Sequence, residues 1–170
     1  MDKQHEIICK RKKKREAMTT NISSLVLNAS EGEITFEASG EYWMWKATAE
    51  TTNGRYDQAV TITLPQVGPP EHTQQQEELL YILEGTYRMK LGEHVFTASA
   101  GTSVRIPGGV SHAWRSLTVG RMLVIFLPGG LRGFFEGMRP LYLAPQLDMQ
   151  ALTALAARYG LVVTGPPLAE

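Results

Sequence analysis

The chain has 170 residues, 43% hydrophobic and 20% charged, and its 17 basic and 17 acidic side chains cancel to a formal net charge of zero. This mixture excludes a disordered polymer and leaves room for a sizeable core in one domain. The single Cys9 excludes an internal disulfide and a cysteine-rich zinc site; no apolar run approaches the roughly 18–20 residues of a membrane helix, and no apolar segment follows the basic start, so a cytoplasmic location is expected.

The neutral total hides an asymmetry. Residues 1–17 carry Lys3 and the block Lys10–Arg15 against Asp2, Glu6 and Glu16, a balance of +4, and the remainder carries −4. The block KRKKKR repels itself and has no hydrophobic periodicity, so residues 1–20 read as a disordered basic tail and residues 21–170 as a single domain. The tail is open to three readings: a contact with nucleic acid or another anionic surface, a plain solvated tail, or a start at Met18. The acidic body shows no basic stripe, so nucleic acid is not an expected partner.

From Leu25 onward, short strands are separated by turns. SLVLNA and EITFEA are brief. In EYWMWKAT, Tyr42, Met44 and Lys46 alternate with Trp43, Trp45 and Ala47. Asn53-Gly54 marks a turn before the β-branched run YDQAVTITLP. Further strands are predicted at LLYILEG, TYRMKLG, HVFTA, TSVRIP, HAWRSL and RMLVIFLP, with no helical pattern between them. Such a series indicates an all-β sandwich or barrel. Arg121–Leu127 is apolar on both faces, as in a strand lying between two layers, and such strands leave room for a homodimer. After Pro128-Gly129-Gly130 the pattern turns helical. LRGFFEGM is a short helix, and Asp148 caps MQALTALAARYG, whose stripe of Met149, Leu152, Leu155, Ala156 and Tyr159 is expected to cover the outside of the barrel or a subunit contact.

Two stretches carry metal-ligand residue types. His72 and Gln74 are two apart, so on an extended segment they point to one face, with Glu78 following a short turn. His112 comes after Pro107-Gly108-Gly109, a corner where glycine lets the backbone bend tightly. Two imidazoles, a carboxylate and an amide oxygen suit one divalent transition metal such as Fe, Mn, Ni, Co or Zn. Glu77 reads as a solvated neighbour, His94 as a structural hairpin residue, and Trp43, Trp45 and Trp114 as core or cavity lining.

The spacing His72-x-Gln74-x3-Glu78-x6-Gly85, followed by Gly101-x5-Pro107-x-Gly109-x2-His112, resembles the two motifs of the cupin superfamily. Fifteen residues separate them, enough for a hairpin. The flanking segments YWMWKATAETTNGRY, FLPGGLRGFF and ARYGLVVTGPPL look like bacterial single-domain cupins of the quercetin 2,3-dioxygenase-like group, and the resemblance spans about Leu25 to Leu168. It implies an all-β double-stranded β-helix, a jelly-roll barrel, with short C-terminal helices. It also implies a metal-dependent dioxygenase acting on a small aromatic or enolisable hydroxyketone. His72, Glu78 and His112 would be metal ligands, and Glu78 the base. Three positions depart from the motifs: Gln74 stands where the family has a second His, Ser116 where it has Asn, and Gln66 where it has Gly. Gln74 is either a weaker ligand or the mark of a lost metal. The alternatives are therefore a non-enzymatic small-molecule-binding cupin and a cupin isomerase or cyclase.

Overall fold

A computed structural model describes residues 26–169, so the basic block and the rest of the expected tail lie outside the described residues. The chain divides into two units, Met1–Glu31 and Gly32–Glu170. The described part of the first is an exposed turn in which the Asn28 N–H donates to the Glu31 carboxylate at 2.7 Å. The strand expected at SLVLNA is not formed by its described residues, because Asn28 already enters this turn.

The second unit places eleven strands in two antiparallel sheets. One sheet runs in the order β1-β2-β3-β10-β5-β8, built from β1 (Glu33–Ala38), β2 (Glu41–Ala47), β3 (Asp57–Thr63), β10 (Gly120–Leu127), β5 (Glu77–Glu84) and β8 (Ser103–Ile106). The other runs β11-β4-β9-β6-β7, from β11 (Val162–Pro167), β4 (Pro70–Thr73), β9 (His112–Ser116), β6 (Thr86–Leu91) and β7 (His94–Ser99). This is the expected all-β barrel, and β6 and β7 form the hairpin between the two motifs.

Strand alternation decides what faces inward. Across the first sheet the register stacks inward-facing rungs. Glu41, Thr63 and Gly120 form one end; Trp43, Thr61, Met122 and Ile82 come next; then Trp45, Ala59, Val124, Leu80 and Val104; and finally Asp57, Phe126, Glu78 and Ile106. The middle rungs are closely packed and, apart from the buried Thr61, apolar, with Ala59, Ile82, Met122 and Val124 fully buried. Both ends are polar. On the second sheet His72, His112 and Leu91 stand level, with Trp114 and Met89 one rung on and Ser116 and Tyr87 beyond them.

Three details differ from the sequence expectations. A single helical turn, α1 (Ala49–Thr52), interrupts β2 and β3, because Thr51 Oγ1 accepts from the Thr48 N–H and Asn53 takes a left-handed backbone. The outer face of β10 (Leu123, Ile125 and Leu127) is only half-buried, so the strand is central in its sheet without being covered on both sides. Strand β11 has no counterpart in the strand reading, since its Gly and two Pro argue against a ladder; it is an edge strand, where such residues are tolerated.

The chain then closes the barrel. Helix α2 (Arg132–Leu143) runs longer than LRGFFEGM implied and continues through Pro140. Helix α3 (Met149–Arg158) starts at Asp148, whose side chain accepts from the Ala151 N–H at 2.9 Å. Asp57 fixes the first of these. Buried at the end of the barrel, its carboxylate accepts from Gly130 N–H at 2.6 Å and Leu131 N–H at 2.8 Å, at the start of α2, and from Ala49 N–H at 2.5 Å. Orphan donors at a helix N-terminus are satisfied by a negative charge placed there. Gly133 and Gly137 let α3 approach α2 closely, since a Cβ at Gly137 would meet Leu155 at 2.8 Å.

Candidate metal centre and cavity

The four motif residues converge at one end of the barrel. His72 and His112 are cross-strand partners on β4 and β9, with ring centroids 4.3 Å apart. Each imidazole is oriented the same way: His72 Nδ1 lies 2.9 Å from Pro70 O and His112 Nδ1 lies 2.9 Å from Val110 O. A carbonyl can only accept, so each Nδ1 carries a hydrogen and Nε2 is the nitrogen left to take a proton or a metal ion. Outer hydrogen bonds of this kind orient metal-ligating histidines.

From the opposite sheet, Glu78 brings its carboxylate to 3.2 Å from His112 Nε2, and both side chains are buried. That Nε2 makes no hydrogen bond. Gln74, just past β4 and also buried, donates from Nε2 to Glu78 Oε2 at 3.2 Å. Burial and the neighbouring His112 ring hold the His72 pKa below the usual histidine range. Burial pulls His112 down as well, but the adjoining Glu78 carboxylate outweighs it and the net shift is upward.

Two imidazole nitrogens, one of them the buried His112 Nε2, and a buried carboxylate suit a divalent transition metal in donor type. Among the described residues, however, no three His, Cys, Asp or Glu side chains stand together as a ready-made metal cage. The Gln74 amide shares the Glu78 oxygen that faces His112, which draws the cluster partly closed.

Above the cluster opens a cavity of about 680 Å³, lined by His72, Gln74 and Glu78 at one end and by Phe36, Trp43, Trp114, Phe126, Phe134, Phe135 and Tyr142 along its walls. The three tryptophans are core or cavity lining as expected: Trp43 and Trp114 line the cavity and Trp45 lies in the packed core. The α3 stripe does not cover the outside of the barrel: Met149, Leu152 and Ala156 roof the cavity, together with Phe134, Phe135 and Met138 of α2. Periodicity identified the apolar face but not what it would cover.

The remaining motif positions have structural explanations. Gln66 holds the motif's glycine position with φ +68°, and its N–H donates to Ser116 O at 2.7 Å. Gly68, two residues later, is the position that demands glycine, since a Cβ there would lie 1.9 Å from Trp114 O. Ser116 is buried and its hydroxyl donates to Thr118 O. Glu77 pairs with Arg105, and His94 stacks on Phe96 in the hairpin, away from the cluster. Sequence reasoning missed Glu41, whose side chain lines the cavity from the opposite end of the barrel.

Comparison with known proteins agrees with this architecture. Residues 60–127 match the cupin domain family. Among solved structures, an RmlC-like cupin from Shewanella frigidimarina superposes with TM-score 0.55 at 17% identity, covering 61% of this chain and 89% of that one. KdgF from Halomonas sp. gives TM-score 0.55 at 13% identity, covering 61% and 94%. A predicted oxalate decarboxylase from Thermotoga maritima gives 0.53 at 18%, covering 61% and 98%. The fold is that of the cupin barrel. The sequence matches no curated protein, and among the described residues no helix is long and apolar enough to cross a membrane.

Proposed function

We propose that the barrel is a metal-dependent enzyme of the oxygenase type, acting on a small aromatic or enolisable hydroxyketone held in the cavity. The observation that supports this reading is the convergence of His72, His112 and Glu78, with the buried His112 Nε2 3.2 Å from the Glu78 carboxylate at the foot of an aromatic-walled cavity. A buried imidazole nitrogen facing a carboxylate is satisfied by a shared cation, either a proton or a metal ion, and the second imidazole beside it adds a further donor for the metal.

His72, Glu78 and His112 would hold one divalent transition metal (Fe, Mn, Ni, Co or Zn), with the Gln74 amide oxygen available as a fourth donor. Bound there, such an ion supplies Lewis acidity and, in a two-His, one-carboxylate set, access to dioxygen chemistry. The chain's own residues do the rest. Glu78, within reach of the cavity and shielded from bulk water, accepts the proton of the substrate hydroxyl. Trp43 and Phe126, nearly parallel with ring centroids 6.2 Å apart, contribute aromatic surface to the wall against which a planar ligand would lie. The roof of α2 and α3 keeps water from the reacting end.

Elemental analysis of protein purified without chelator tests the proposal, followed by oxygen uptake with 3-hydroxyflavone as substrate. Near one metal per chain and hydroxyflavone-dependent uptake are expected. Metal content that stays near zero after reconstitution would overturn the oxygenase reading. One observation favours a second reading, a small-molecule-binding barrel without metal: the Gln74 amide already donates to the Glu78 oxygen that the metal would share. In that case the protein purifies metal-free and Gln74→His creates metal binding that the natural chain lacks.

A further inference from the structure

The geometry points to Glu41 as a second anchor for the ligand, accepting the hydroxyl at the far end of an elongated, uncharged aromatic molecule whose other end lies at the Glu78–His112 cluster. The inference rests on the cavity being the ligand site of the proposed function, and names the ligand class that site takes; it does not depend on a bound metal.

Glu41 and Glu78 occupy opposite end rungs of the same sheet, separated by the six residue steps from Gly120 to Phe126 on β10, about 20 Å along the strand, and by three strand spacings across the sheet. Both line one cavity of about 680 Å³. With a carboxylate side chain reaching in from each end, the remaining length suits a molecule of two or three rings, and the walls between are aromatic. A ligand that fills such a space needs a polar group at both ends. Among the described residues, the hydrogen bond that Glu41 receives comes from Trp43 Nε1, to Oε2 at 3.0 Å. The other carboxyl oxygen is left for the cavity.

The charge of the lining narrows the ligand further. No lysine or arginine is among the described residues that line the cavity, and both ionisable side chains at its ends besides the histidines are carboxyls. An anionic ligand would therefore meet Glu41 without a counter-charge, an unfavourable juxtaposition in a low-dielectric enclosure. A hydroxyl meets it as a donor to a carboxyl oxygen. Desolvation by burial pushes the Glu41 carboxyl up to about 7, so near neutrality it can present either a proton or a lone pair to that hydroxyl.

Binding of three probes, followed by quenching of tryptophan fluorescence in the presence of chelator, tests this: 3-hydroxyflavone, its 4′-hydroxy derivative and its 4′-carboxy derivative. The 4′-hydroxy compound should bind the natural protein about tenfold more tightly than the parent, the effect of one well-made hydrogen bond. The 4′-carboxy compound should bind at least about tenfold more weakly than the 4′-hydroxy one. In Glu41→Leu the preference for the 4′-hydroxyl should collapse to less than about twofold, with the far-UV circular dichroism of the natural protein retained as the control for folding. Glu41→Gln, which keeps an acceptor, should preserve part of the preference. A preference that survives in Glu41→Leu, or none in the natural protein, overturns the inference. If none of the probes binds, the cavity reading falls with it. Hydroxyl selectivity without any oxygen uptake after metal loading would instead sink the oxygenase reading alone.

Discussion

Single side chains do distinct work here, and three of them make testable statements. Gln74 replaces an imidazole with a neutral amide, the weaker donor for a divalent transition metal. Gln74→His should tighten Ni(II) or Zn(II) binding by at least about tenfold in calorimetric titration; unchanged affinity would mean that position 74 does not face the ion. Asp57 satisfies backbone N–H groups of two elements at once. Replacing it with Ala leaves these donors buried and unpaired, so Asp57→Ala should lower stability by about 3 kcal/mol or more in urea unfolding. Glu41 gives a pH signature. Its carboxyl titrates near 4.5 in the unfolded chain and is raised to about 7 in the folded one by burial. Between those values the folded protein keeps a proton that the unfolded chain has lost, so stability falls as pH rises through the window and then levels off. The loss is at most about 3 kcal/mol, reduced by the solvent that reaches the carboxyl through the cavity. Glu41→Gln should therefore match the natural protein near pH 4.5 and melt at a higher temperature at pH 8. Equal melting temperatures at pH 8 would show that Glu41 carries no such penalty.

Glu41 also marks a limit of what could be read from sequence. Motif spacing was enough to bring His72, Gln74, Glu78 and His112 together, because strand alternation and a glycine corner are local rules. Nothing local distinguishes Glu41 from a solvated strand-end carboxylate. Its environment is made by Trp43, by the rung it shares with Thr63, and by Tyr142, a hundred residues away, whose own pKa is raised by burial and by the Glu41 charge.

Elements repeat the pattern. Alternation placed Trp43 and Trp45 on one face correctly, since a period of two needs no partner to be legible. The stripe of α3 was legible as apolar, but its destination depended on how α2 and α3 pack, and that is set by Gly133 and Gly137. Because a side chain at Gly137 would press on Leu155, Gly137→Val should lift α3 from α2. Backbone amides of Ala151–Arg158 should then exchange faster with deuterium while those of β10 stay protected. Equal exchange across both elements, or none in either, would contradict the close-packed seam. Strand β11 escaped the sequence reading because Pro166, Pro167 and Gly165 are poor strand formers. It forms because β4 offers an edge, with Val163 level with His72.

At the scale of the whole molecule, the cavity is assembled from separate stretches of chain. The donors to the metal-type cluster come from residues 72–112, inside the segment that matches the cupin domain family. The far anchor and one aromatic wall come from β1 and β2, before it. The roof comes from α2 and α3, after it. On the proposed reading, the metal-type cluster and the surfaces that choose its ligand are thus encoded in different parts of the gene. Substitutions confined to residues 131–161 can therefore reshape the space above Glu78 while leaving His72, Gln74, Glu78 and His112 in place, so the shape of the cavity is free to drift while the cluster stays fixed.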